Sequence, residues 1–501
     1  MTATGRPNVL LIMADQLAAS WLPAYGHDVV QAPNLTALAE GSTVYDAAYC
    51  PSPLCAPSRG ALLAGRLPSR IGVYDNAAEM PASVPTLAHA LRAGGYATAL
   101  SGKMHFVGPD QLHGFEERLT PDVYPADLDW TPDWRRPLSH PLPWYHTMES
   151  VLTPGVTPAS MQQDYDDEVA FYAVRKLYDL ARTAGERPFF LTVSFTNPHD
   201  PWEIRAPYWD RYDRGAIEPP VVPRIPLEDA DPHSRRLRAM YGTDEIELDD
   251  EQLVTARHGY YAAVSYVDDR IGEVLRTLRD VGLDDSTAVI FTADHGEMLG
   301  ERGLWYKMAF FEHSARVPLF VRPPGGGAPA RATAPVSTLD LVPTVLELTG
   351  VAADELELDG TSLLGAGPDR IVRAEYLAEG VTAPAVMVRR GRHKLIVCPG
   401  DPDQLYDLGA DPHELENLAA DPAHAAVRDE LRAEVSARWD LEALDRAVLA
   451  SQRERRLVVR GLTQGRFTAW DYDPPGDALP RYVRSRVDLY ELQRRSRLEP
   501  T

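Results

Sequence analysis

The sequence predicts an α/β fold: a large, mostly parallel β-sheet flanked by helices, followed by a smaller α/β subdomain. Three observations predict it. Four short segments rich in aliphatic, aromatic and β-branched residues read as buried strands, and long segments near them repeat apolar residues at helical spacing. Each strand also runs straight into acids, bases or imidazoles. Active sites of open α/β sheets lie beyond the carboxyl ends of the strands, so four such endings point to one sheet edge that collects a metal ion and acid/base groups.

In chain order, Asn8–Ala14 is the first strand and ends on Asp15. Tyr96–Ser101 is the second and leads to Lys103 and His105. Asp164–Arg182 reads as a helix through Val169, Ala173, Leu177 and Leu180. The third strand, Phe189–Thr196, is followed by His199 and Asp200. Tyr260–Leu278 is a second helix through Val264, Val267, Ile271, Leu275 and Leu278, and the fourth strand, Thr287–Ala293, delivers Asp294 and His295. The Pro/Gly/Ala-rich stretch Pro323 to Pro335 has no period and reads as a surface loop or hairpin connection, with helix-like Thr338–Leu348 after it. Beyond about Asp359 come short β-like runs, Ile371–Tyr376, Pro384–Val388 and Lys394–Cys398, then a helix near Ala425–Trp439.

A chain of 501 residues with 44% hydrophobic and 25% charged residues is an ordinary globular composition with ample length for a large core. Its formal charge of −23 repels nucleic acid and anionic membrane and favours cationic partners. Met1 to Gly5 is polar and the apolar run Val9 to Met13 stops at Asp15, so no signal peptide is expected, and no segment reaches the ~20 apolar residues that span a bilayer. Cys50, Cys55 and Cys398 cannot form a disulfide framework, which suits a reducing cytoplasm. Ser451 to Thr501 carries eleven Arg against seven Asp and Glu, a basic tail on an acidic body that can dock on its own body or a neighbour's.

The most informative string is Cys55-Ala56-Pro57-Ser58-Arg59. Proline suits the first turn of a helix, which puts Cys55 at a helix N-terminus where backbone N–H groups and the dipole favour an anion. Arg59 lies on the same helical face, and together they make an oxyanion site. Cys50 and Cys398 lack that context and read as small buried hydrophobes.

At this string the chain resembles the type I, formylglycine-dependent sulfatases of the alkaline phosphatase superfamily, whose C-x-P-S-R motif marks a cysteine oxidised to formylglycine. Met13-Ala14-Asp15, Gly102-Lys103-Met104-His105, Pro198-His199-Asp200-Pro201, Asp294-His295-Gly296 and Lys307 are similar to that family's active-site segments in the same order. Leu405-Tyr406-Asp407-Leu408, Asp411-Pro412 and Glu416-Asn417-Leu418 resemble its C-terminal subdomain. The resemblance implies an alkaline phosphatase/sulfatase-like fold, with a catalytic domain at 1–358, the smaller α/β subdomain at 359–450, and a tail at 451–501 that closes the active site and mediates oligomer contacts. It implies that a hydrated formylglycine at position 55 attacks the sulfur of a sulfate ester and expels sulfate with its second hydroxyl. Arg59, Lys103 and His105 hold and polarise that group, and His199 and Lys307 face the leaving oxygen. One divalent cation, Ca2+ or Mn2+ with Mg2+ also suited, is held by Asp15, Cys55 as formylglycine, Asp294 and His295. The chain departs from the commonest pattern at Asp15-Gln16, where many members pair aspartates, and at His295, where asparagine is frequent. Both changes leave the metal's identity open.

Asp15-Gln16-Leu17, Cys50 to Cys55, Gly72 to Glu79, Lys103 to Asp110 and Gly303 to Met308 resemble the choline-sulfatase branch. That implies choline sulfate as substrate, a formylglycine-generating enzyme as maturation partner, and a homo-oligomer, dimer or tetramer. A trimethylammonium group has no N–H to donate, so aromatic faces and carboxylates must recognise it. Asn76, Trp130, His146 and, in the tail segment Tyr482 to Leu489, Asp488 are the expected substrate-binding residues, and Trp134 reads equally well as packing. Alternatives are a phosphonate or phosphate ester hydrolase, an arylsulfatase, or an inactive quaternary-ammonium-binding protein. The last requires loss of an active-site group, and none is missing from the sequence.

Overall fold

The computed structural model describes residues 5–124, 128–135, 146–365, 367, 369–465 and 489–497. Its main sheet contains β1 (Asn8–Ala14), β2 (Thr43–Tyr45), β3 (Ala97–Gly102), β4 (Glu117–Arg118), β5 (Phe189–Ser194), β6 (Thr287–Ala293), β7 (Leu319–Arg322) and β8 (Ala330–Ala332). Across the sheet the order is β8-β2-β7-β6-β1-β5-β3-β4. The four strands expected from sequence are therefore neighbours, and they run parallel. Met13 is opposite both Thr292 and Ser194, and Ser194 is opposite Gly102, so the four carboxyl ends finish level. β1, β5 and β6 are buried at every position, which is why they read as unbroken apolar runs rather than alternating ones. β7 is antiparallel to β6, so the sheet is mixed at one side.

Four helices matter for the site or the core: α1 (Cys55–Ala64), α2 (Met161–Arg182), α3 (Asp250–Asp280) and α4 (Leu341–Thr349). α2 and α3 pack against each other through stripes that include Val169, Ala173, Val264 and Val267, and α2 also packs on β3 and β5. Both begin earlier than their apolar period. Ser160 Oγ caps α2 by accepting from the Gln163 N–H, and Asp249 and Gln252 form a reciprocal capping box for α3. The stretch from Pro323 to Pro335 is more than a loop, because β8 within it pairs in parallel with β2. Its three residues are largely exposed and joined through backbone groups, so they leave no hydrophobic pattern to read.

The chain then forms a four-stranded antiparallel sheet, β9 (Ile371–Tyr376), β10 (Ala385–Arg390), β11 (His393–Val397) and β12 (Gln404–Asp407), with α5 (Ala425–Arg438) packed on β10 and β11. Glu375 ties this unit to the segment after α1 by accepting from the Ser69 N–H at 2.7 Å and the Ser69 hydroxyl at 2.6 Å. α6 (Leu441–Leu462) carries the chain straight through residue 450, and α7 (Leu489–Ser496) follows in the tail. Among the described residues no helix is long and apolar enough to cross a membrane.

Candidate active site

β1 and β3 turn sharply just beyond their ends. Gly102 has φ +111°, and a Cβ there would lie 1.9 Å from the Ser194 carbonyl oxygen, so only glycine lets β3 close on β5 and deliver Lys103. Past β1 and β3, Gln16 (φ 59°) and His105 (φ 55°) occupy the left-handed region without being glycine. Such strain persists only where the surroundings fix it, and at functional sites. For His105 the clamp is Asp122, whose carboxylate accepts from the Met104 N–H at 3.0 Å and the His105 N–H at 2.7 Å. Burial raises Asp122, but Arg118 and His105 outweigh it and hold it down near about 2. After β5, Asp166 on α2 accepts from the N–H groups of Thr196 and Asn197, fixing the turn that presents His199.

α1 begins at Cys55 with no side-chain cap from Leu54. Asn76 supplies the missing acceptor, taking the Ala56 N–H at 3.0 Å. Cys55 Sγ lies 3.1 Å from His295 Nε2, and donor atoms of Asp15, Cys55, Asp294 and His295 all fall within 4.8 Å of one another in a fully buried cluster. Asp15 Oδ1 has no hydrogen-bond partner and stands 3.8 Å from His295 Nε2. His295 Nδ1 donates to the Gly296 carbonyl at 3.1 Å, which leaves Nε2 unprotonated with its lone pair toward Cys55 Sγ, and burial pushes this imidazole down to about 4 so that it stays neutral. Two carboxylates, a neutral imidazole and position 55, with an orphaned carboxylate oxygen aimed between them, fit a divalent cation.

Arg59 runs beneath this cluster. Its guanidinium donates to Asp294 Oδ2 at 2.7 Å, Asp15 Oδ2 at 3.1 Å, the Lys103 carbonyl at 2.6 Å and Ser194 Oγ at 2.8 Å. It is thus engaged by two carboxylates and by groups on two strand ends. The Lys103 ammonium also donates to Asp15 Oδ2 and sits 4.1 Å over the Tyr124 ring. Burial raises Asp15, yet Lys103 and Arg59 hold it well below the usual carboxylate range.

On the other side of Cys55, Lys307 Nζ donates to His199 Nε2 at 2.8 Å and to Gln16 Oε1 at 2.5 Å. Gln16 Nε2 in turn donates to Glu297 at 2.5 Å and Asp200 at 3.3 Å. Burial, reinforced by Lys307, depresses His199 well below its ordinary range, and its Nδ1 donates to the Asp200 carbonyl at 2.7 Å. Burial lowers Lys307 too, but Cys55 and Asp200 outweigh it and the ammonium stays protonated. A charged lysine therefore faces a neutral histidine.

One small pocket joins these groups, with about 30 Å³ of its interior open to the centre of a water molecule. It brings Cys55, His105, His199 and Lys307 together with Asn76, Trp130 and His146. The Trp130 ring packs 6.0 Å from His105 and 6.1 Å from Tyr124, making an aromatic wall. His146 stacks on Tyr306 at 4.4 Å and places Nδ1 3.2 Å from an Asp200 carboxylate oxygen. Although burial raises Asp200, its contacts with His146 and His199, the His146 hydrogen bond among them, and the Lys307 charge outweigh it and hold the carboxyl well below its usual range. Asp488 lies outside the described residues. Two positions later, Tyr490 lines the pocket with Gln493, and its hydroxyl accepts from the Thr147 N–H at 2.6 Å. Trp134 packs elsewhere, its indole N–H bound to the Ala378 carbonyl at 2.7 Å.

The model of the family described as Sulfatase matches residues 7–351, the stretch that supplies the whole buried cluster. The chain belongs to the sulfatase family. Two shorter models also match this sulfatase, N-sulphoglucosamine sulphohydrolase, C-terminal, over residues 300–440, and choline sulfatase enzyme C terminal over 446–498. It is 47% identical over 506 residues to the choline-sulfatase of Rhizobium meliloti (strain 1021), covering 99% of both chains. It is 27% identical to the arylsulfatase of Clostridium perfringens (strain 13 / Type A), covering 72% of this chain and 78% of that one. Among solved structures, the phosphonate monoester hydrolase of Agrobacterium radiobacter aligns with a TM-score of 0.68 at 27% identity, over 86% of this chain and 95% of that one.

Sequence reasoning did not select Gln16, Tyr124, Asp200, Glu297, Tyr490 or Gln493 as site residues. Asp200 had a signal, its position directly after His199. Tyr124 had none, since it stands in irregular chain well beyond β3.

Proposed function

We propose that this sulfatase hydrolyses choline sulfate to choline and sulfate. The observation that carries the reading is the pocket, in which the buried cluster around Cys55 opens onto Trp130, Tyr124 and ionised Asp200. An aromatic wall with a carboxylate is the surface that a quaternary ammonium requires, and the overall negative charge favours its approach. Similarity to a choline-sulfatase along the whole chain supports the same substrate.

Asp15, Asp294, His295 and position 55 would hold the divalent cation, Ca2+, Mn2+ or Mg2+, which together with formylglycine at 55 supplies Lewis-acid charge neutralisation and the attacking oxygen. The chain's own residues do the rest. Arg59 holds the two aspartates in place and offsets their mutual repulsion. Lys103 and His105 stand on the sulfate side, and His105, with both ring nitrogens unpartnered, can donate to or accept from the reacting group. Lys307 carries the proton for the leaving oxygen, with His199 beside it to relay or replace that proton. Asn76, Trp130 and His146 orient the headgroup. Asp488, which lies outside the described residues, enters this reading on the sequence resemblance alone, as a second anion for the cation. A homo-oligomer, dimer or tetramer, a formylglycine-generating partner and a cytoplasmic location belong to the same proposal, the last in keeping with three free buried thiols.

The test is turnover of choline sulfate, an aryl sulfate, phosphate diesters and phosphonate monoesters by protein whose residue 55 has been checked by peptide mass. We expect choline sulfate to have the highest kcat/KM by at least about tenfold. Preference for the aryl sulfate or the phosphorus esters would overturn the assignment in favour of those chemistries, and turnover of none with residue 55 converted would leave a binding protein.

A further inference from the structure

The headgroup residues Asn76 and Trp130 come from distant irregular stretches, and neither belongs to a helix or strand that would fix it. Both stretches are held by one helix. The inner face of α6 is formed by Val448, Gln452 and Arg455, spaced by four and three residues. Arg455 makes a bidentate fork on Asp75, at 2.6 and 2.7 Å, and the same guanidinium donates to Thr131 Oγ1 at 3.2 Å. Asp75 and Thr131 are the immediate neighbours of Asn76 and Trp130. Gln452 Oε1 accepts from the Trp134 N–H at 3.1 Å, and Arg456 pairs with Asp133. Asp75 itself is fully buried and also accepts from the Ala77 N–H at 2.9 Å, so its carboxylate braces the chain on both sides of Asn76.

We infer that Arg455 is a specificity-determining positioning residue, which fixes the separation of Asn76 and Trp130 and so tunes the pocket for a cationic headgroup. The inference rests on the choline sulfate reading. A planar guanidinium fork holds its carboxylate in one orientation, and a lysine ammonium in the same place would keep the charge but lose that geometry. The Cys55 end should be disturbed less, since Asn76 keeps its own hydrogen bond to the Ala56 N–H of α1 and Cys55 Sγ is placed by His295 beyond β6's carboxyl end. The part of α6 that carries Val448, Gln452 and Arg455 falls within the region matched by the choline sulfatase C-terminal model, which begins at residue 446, whereas the buried cluster around Cys55 falls within the general sulfatase match. That division is what a helix dedicated to the headgroup would produce.

The experiment compares wild-type metal-loaded, formylglycine-bearing enzyme with Arg455→Lys and with the double variant Asp75→Asn/Arg455→Gln. The double variant removes both buried charges together, so neither is left unpaired if the single substitution proves too disruptive to fold. KM and kcat are measured for choline sulfate and for an aryl sulfate that carries no cationic group, and choline affinity by calorimetry. The expected result is a rise of about tenfold in KM for choline sulfate and in Kd for choline, with kcat and the aryl sulfate KM within about threefold of wild type. Equal losses on both substrates would make the fork a folding element, and unchanged choline affinity in both variants would remove Arg455 from specificity. A wild-type enzyme with no preference for choline sulfate and no affinity for choline would instead refute the substrate reading.

Discussion

Asp15 has two oxygens with different fates. Oδ2 takes hydrogen bonds from Arg59 and Lys103, and Oδ1 takes none although it is buried. An unpaired buried carboxylate oxygen is costly, which is the residue-scale reason to expect a cation against it. Asp15→Asn should weaken metal retention by at least about tenfold, read by metal analysis after dialysis, and a fully loaded variant would contradict the ligand role. Cys55→Ser should lower steady-state turnover by at least about a thousandfold, because serine offers one hydroxyl and no second oxygen with which to release sulfate. A variant with wild-type turnover would exclude the formylglycine mechanism. Lys307 contributes positive charge against His199 at 2.8 Å. Lys307→Met should therefore raise the His199 titration toward the ordinary histidine range without reaching it, since burial remains the larger cause. Ring resonances followed by NMR from pH 4 to 8 check this, and a His199 that titrates no higher than in wild type would show that Lys307 is not what holds it down.

At the scale of elements, chemistry sits where strands end because a fully buried strand can expose functional groups only beyond its last residue. The turn that follows must then be tight. Gly102 is the sharpest instance, with no room for a Cβ against the Ser194 carbonyl. Gly102→Ala should separate β3 from β5, lowering stability by at least about 2 kcal/mol in urea melts, and should reduce kcat by at least about tenfold by displacing Lys103. A stable, fully active variant would mean that the turn can open at little cost. Helix α1 shows the complementary device, a helix that starts at Cys55 and whose cap comes from another segment, Asn76. Helix α6 extends it, with one face reaching across to the stretches beside Asn76 and Trp130.

For the whole molecule, acid should be the weak point. His113 and His233 are pushed down to about 4, and His313 to about 3, in each case chiefly by burial. The folded state therefore holds these rings neutral while the unfolded chain protonates them at the ordinary value near 6.5. Between about 6.5 and 4 the unfolded state binds more protons, so their contribution is fully present above pH 6.5 and is lost as pH falls, by up to about 1.4 kcal/mol per pH unit for each histidine. Asp166 and Glu297, raised by burial to about 7, and Asp268, raised to about 6, take up protons in the folded state over the same range and oppose this loss. His313→Phe should therefore make the fall of urea midpoints from pH 7 to 4 shallower than in wild type, and an unchanged slope would show that this ring protonates without unfolding.

The sequence by itself determined the four central strands, their parallel arrangement, the polar residues at their ends and the family. Each of those signals is local: an apolar run marks a buried strand, and a candidate site residue directly follows its strand in the chain. Asp15, Lys103, His199 and Asp294 were legible for that reason, and Cys55 with Arg59 because one short motif holds both. Only the tertiary structure decided what the residues do to one another. It set Arg59 under two carboxylates, linked Gln16 to Lys307, brought Tyr124 over Lys103 and seated Tyr490 at the pocket. It also paired exposed β8 with β2, and joined Arg455 to Asp75 across 380 positions of chain. Neither backbone pairing nor a contact at such separation imposes a period on the sequence, so both arise only once the sheet order and the path of the C-terminal helices bring those segments together.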